Sequence, residues 1–71
     1  MNAGWVDRLK SGMREAGITQ EMVAERIGKK RQAVSASLSR EKVFINDFKV
    51  MIEMAHLDAH EILFGNTYEN K

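Results

Sequence analysis

Arg31, Gln32, Ser35 and Ser39 are the side chains of this 71-residue sequence whose types and spacing could do recognition chemistry. At helical periodicity they share one face, with Ala36 alongside. An arginine guanidinium can bond guanine O6 and N7 as a fork, and a glutamine amide can do the same for adenine N6 and N7. Serine adapts to several partners, and alanine can meet a thymine methyl. A polar helix face is usually only solvated, so the stripe alone decides little. Its charge surroundings say more. Residues 29–42 carry Lys29, Lys30, Arg31, Arg40 and Lys42 against Glu41 alone, a net +4, although the whole chain is only +1. Residues 1–28 balance to zero and residues 43–71 carry −3. Positive charge collects where the reading face lies, which is where a polyanion would be met.

The elements that must position this face follow from periodicity and punctuation. Trp5, Leu9 and Met13, with Val6 and Ala16 beside them, predict a first helix over about 3–16, stopped by Gly17. Trp5 is expected to anchor the core, and Arg8, Lys10 and Arg14 to lie mostly on the outer face. Thr19 is a good N-cap for a second helix, with Ile18 placed to staple onto Val23. Val23, Ala24 and Ile27 form its stripe, and Gly28 ends it in a left-handed conformation. Ala24 is expected where the second and third helices cross. The third helix runs over about 31–39, with Val34 and Leu38 inward. Lys30 gives it no obvious side-chain cap. Asn46 is the expected N-cap of a fourth helix, with Ile45 stapling toward Val50 and Phe48, Met51, Ile52 and Ala55 inward. Asp58 caps a last helix over 59–64, with Glu61 completing a capping box and Gly65 stopping it. Helices this short cannot hold alone and must pack together.

Leu9, Met13, Gly17, Thr19, Gln20, Val23, Ala24, Ile27, Gly28, Gln32, Val34 and Ser35 stand in the pattern of phage repressor and Cro-type (XRE-like) helix-turn-helix proteins. Met51, Ile52 and residues 57–65 are similar to that family's fourth and fifth helices, so the resemblance covers nearly the whole chain. It implies an all-α, compact five-helix bundle of lambda-repressor-like DNA-binding type, with the helix-turn-helix formed by the second and third helices. By this resemblance residues 1–65 are a DNA-binding domain. The polar tail, residues 66–71, is expected to be mobile or to help form a dimer. The implied base readers are Arg31, Gln32, Ser35 and Ala36. The implied phosphate contacts are Gln20, Lys29, Lys30, Ser39, Arg40 and Lys42. Ile62, Phe64 and Tyr68 are the expected apolar dimer surface. The partner would be a double-stranded operator bound by a homodimer, and the role repression in a phage-type switch. The rival expectation is a protein-interaction module of the same fold, antirepressor-like or antitoxin-like, with little DNA binding. Three positions depart from the family. Lys30 stands where a capping Ser or Thr is common, and Ser37 where a large apolar residue is usual. Met13 and Leu38 stand where relatives pair an Arg with a Glu, and are expected to touch in the core.

Other chemistry finds little footing. There is no cysteine, so neither disulfide nor thiolate metal site is available. His56 and His60 are four apart, but a helix start at Asp58 divides them, so no metal is expected. No nucleophile–base constellation, carboxylate pair or phosphate-binding glycine loop is present. The expectation is a non-enzyme without cofactor or small-molecule substrate. The apolar runs are too short to span a membrane, and the N-terminus lacks the form of a signal peptide, so a cytoplasmic location is expected.

Overall fold

The computed structural model describes residues 4–65. They form five helices and no strand: α1 (Gly4–Glu15), α2 (Gln20–Ile27), α3 (Arg31–Ser39), α4 (Ile45–Ala55) and α5 (Ala59–Phe64). α2 packs on α3 and α4, and α1 packs on α4 and α5. Each helix gives its apolar stripe to one core. Val6, Leu9 and Met13 come from α1, Val23 and Ala24 from α2, and Val34 and Leu38 from α3. Phe48, Met51 and Ala55 come from α4, and Ile62 from α5. Met13 and Leu38 thus both lie in the core, and no charge is buried at either position. Trp5 is half-buried rather than enclosed, and meets Phe48 edge-on at 6.0 Å between ring centroids.

The helix ends explain the turns. Thr19 Oγ1 accepts the Met22 N–H at 3.1 Å, and the Thr19 N–H donates to Met22 Sδ at 3.4 Å, a capping box built with a thioether. α1, α2, α3 and α4 all end on a residue with positive φ: Gly17, Gly28, Glu41 and His56. In each, the following N–H reaches back to a carbonyl five residues earlier. These bonds are Ile18 to Met13, Lys29 to Ala24, Lys42 to Ser37 and Leu57 to Ile52, at 2.8–3.0 Å. That 6→1 bond marks the Schellman termination. It takes Ala16 out of α1, where it lies exposed. Asp58 caps α5, its Oδ1 accepting from the N–H groups of His60 and Glu61 at 2.9 and 3.3 Å.

Two expectations are corrected. α4 begins two residues early, at Ile45, with Phe44 at the N-cap position, and Asn46 lies exposed inside the helix. Ile45 is 68% exposed and does not staple. Tertiary register decides this start. It puts Asp47, Met51 and Ala55 on one inward stripe, and the local capping preference of Asn46 yields to that packing. The second correction is Arg8, expected on the outer face. Its Nε–H donates to the Ile62 carbonyl at 2.8 Å and its terminal nitrogen to the Leu63 carbonyl at 3.1 Å. The guanidinium therefore closes the C-terminus of α5, where carbonyls lack helical partners.

Candidate nucleic-acid interface

Three residues, Gly28, Lys29 and Lys30, connect α2 to α3. Gly28 at φ 74° lets the chain reverse there, and Lys30 is extended (φ −80°, ψ 149°) with no side-chain cap bond to α3. Val34 and Leu38, 2% and 1% exposed, pin α3 to the core. The opposite face is thereby turned outward. Arg31 and Gln32, its first two residues, are exposed, whereas Ser35 and Ala36 are half-buried. Ser37, half-buried in place of a large apolar residue, satisfies its hydroxyl on the Val34 carbonyl at 3.0 Å.

The expected phosphate contacts divide into groups. Lys30 is exposed before α3, Ser39 is exposed as its last residue, and Arg40 and Lys42 are exposed beyond it. Gln20, the first residue of α2, is half-buried. With Thr19 it lines a recess of about 310 Å³ that also takes in Lys10 and Arg14 of α1. Lys29 stands apart. Its Nζ is 2.7 Å from Asp47 Oδ2, the one ion pair found among the described residues, and lies 4.5 Å from the Phe44 ring centroid. Lys29, although exposed, is therefore held in an ion pair and is not the unpaired cation that its place in the basic run suggests. The attraction of a nearly buried carboxylate overrides its place in the basic run.

The dimer surface also needs correction. Ile62 is 6% exposed and belongs to the core, because α5 docks on α1 with that side chain inward. Phe64 is 63% exposed, with its ring centroid 5.0 Å from that of His60 and the two planes tilted by 47°, and Leu63 is 41% exposed. Tyr68 and the rest of the tail lie outside the described residues. Among those residues no three of His, Cys, Asp and Glu gather as a metal site, and no helix is long and apolar enough to cross a membrane.

Sequence reasoning missed Asp47 and Arg8. Asp47 had a signal: it precedes Met51 and Ala55 at four-residue spacing, so it falls on the buried stripe, where a carboxylate requires a partner. Arg8 had none, since its partners are backbone carbonyls 54 and 55 residues away.

Comparison with protein-family models, with curated proteins and with solved structures gives no match. What geometry and chemistry define on their own is an all-helical unit with a short, outward-facing, cation-flanked helix.

Proposed function

We propose that this chain is a sequence-specific, double-stranded-DNA-binding regulator of the phage repressor and Cro type, with α3 entering the major groove. The observation that carries the reading is the exposure of Arg31 and Gln32 at the start of a helix whose inner face is locked into the core. Nine helical residues rise about 14 Å, comparable to a major groove about 12 Å wide. Lys30 at one end of α3, with Arg40 and Lys42 at the other, suits the two flanking phosphate backbones. Arg31 and Gln32 read base edges, with Ser35 and Ala36 in a lesser role. The paired Lys29 is outside this contact set. A single module of this size buries about 600–1,000 Å² on DNA, so a homodimer on two half-sites, repressing in the cytoplasm, completes the proposal. Exposed Phe64 and Leu63 are its candidate dimer surface.

Selection of bound duplexes from a random pool tests this directly. The expected outcome is two half-sites at fixed spacing, with affinity falling steeply as salt rises. Arg31→Ala or Gln32→Ala is expected to relax base preference by about 1–3 kcal/mol, while Lys42→Ala weakens all sequences alike. A pool that enriches nothing, with weak and salt-insensitive association, overturns the reading. It would favour the rival, a protein-interaction module of antirepressor or antitoxin type. Phe44 and Ile45, 71% and 68% exposed beside the basic segment, are the observation that supports that rival.

A further inference from the structure

The basic segment does not present five equivalent cations. Among the described residues Lys30, Arg31, Arg40 and Lys42 make no ion pair, whereas Lys29 is held by Asp47 at 2.7 Å. Asp47 is the one buried charged residue of the described chain, with its side chain 13% exposed. The Phe44 ring, on the residue just before α4, lies against the same ammonium. For Lys29 to reach a phosphate, it would have to leave a nearly buried carboxylate unpaired, which is the expensive way to break an ion pair. It would also give up the ring face. A phosphate oxygen offers comparable attraction in a wetter, better-screened place.

We propose that Asp47 is a built-in brake on DNA affinity. By holding Lys29 against α4 and the Phe44 ring, it withdraws that ammonium from the phosphate backbone of a bound duplex. The proposal rests on the DNA-binding reading and adds to it. Because a phosphate contact carries no sequence information, the brake lowers affinity for every duplex equally and leaves base preference untouched.

The test is the salt dependence of binding, measured by fluorescence anisotropy with the full chain and a labelled synthetic duplex of mixed sequence. One phosphate contact contributes about 0.9 to the slope of log K against log salt. Asp47→Asn is expected to steepen the slope by about 0.9, which corresponds to roughly fivefold tighter binding near 0.15 M salt. Lys29→Gln is expected to leave the slope unchanged. The double variant, in which two amides replace the ion pair, is expected to return to the wild-type slope. If circular dichroism shows either single variant unfolded, the double variant decides: a wild-type slope supports the brake, and a slope shallower by about 0.9 overturns it. An Asp47→Asn slope equal to wild type, or a shallower Lys29→Gln slope, overturns the brake and leaves DNA binding standing. Wild-type binding that ignores salt removes the DNA reading and the brake together.

Discussion

α1 and α2 end on glycine, and α3 and α4 end on glutamate and histidine, yet all four helices close in the same way. φ is 76° at Gly17 and 74° at Gly28, against 59° at Glu41 and 55° at His56. The returning hydrogen bonds have nearly equal lengths in the two pairs. Glycine is thus not needed to make the bonds. It removes the left-handed penalty, about 1–2 kcal/mol for a residue with a Cβ. The two glycines flank α2, and the two penalised residues lie at the ends of α3 and α4. The second pair persists because Leu38 on one side, and Phe48, Met51 and Ala55 on the other, fix those helices in the core.

The sharpest way to break the comparison is to move the penalty to the glycine side. Gly28→Val is expected to cost about 2 kcal/mol, the upper part of the left-handed penalty, because a β-branched side chain is the least tolerant. A Cβ at Gly28 meets nothing within 4 Å, so the loss reflects backbone strain, partly offset by the lower entropy of the unfolded variant, and not a clash at the Cβ. Urea unfolding is expected to rank Gly28 above Asn, Asn above Ala and Ala above Val. Equal stability for all four would mean that the turn relaxes freely and that Gly28 is not the hinge. In a domain this small such a loss lowers Tm by roughly 8–16 °C.

α5 supplies the contrasting case. It has six residues, too few to persist alone, and its last carbonyls are met by Arg8 rather than by a local turn. Arg8→Met keeps much of the stem and removes both bonds. The expected cost is about 1–1.5 kcal/mol, toward the lower end for bonds to a charged donor because one of the two is exposed. The signature is local: amide exchange speeds up at Ile62 and Gly65 before it does at Val34 or Leu38. Uniform acceleration along the chain would show that Arg8 supports the whole bundle and not the end of α5.

These contrasts mark what the residues alone could reveal. The existence of five helices, the Thr19 and Asp58 caps and the Gly17 and Gly28 stops were legible because each rests on a few adjacent residues. The inward residues of α3 were legible for the same reason. The start of α4 was not, because Asn46 signals a cap locally while Phe48 and Met51 set the register through distant packing. Ile62 and Phe64 are two apart and equally apolar, and only the docking of α5 on α1 separates core from surface. Within the candidate site, the exposure of Arg31 and Gln32 follows from the Val34–Leu38 stripe. The pairing of Lys29 depends on a carboxylate 18 residues away, brought near by the packing of α2 on α4.

The smallest effect runs in the opposite direction and examines the other half of the comparison. Glu41→Gly and His56→Gly are each expected to stabilise the protein by about 0.5–1 kcal/mol. The left-handed penalty disappears, and part of the gain is lost to the greater backbone entropy of a glycine in the unfolded chain. Glu41 also carries the single negative charge of the basic segment, so charge and strain must be separated there. Glu41→Gln removes the charge and keeps the Cβ. It is expected to leave the urea midpoint nearly unchanged while tightening any binding to a polyanion. Glu41→Gly is expected to move both. If Gln stabilises as much as Gly, the cost at this helix end is electrostatic. The parallel with His56, which carries no such neighbouring run of charge, would then rest on geometry without a shared energy.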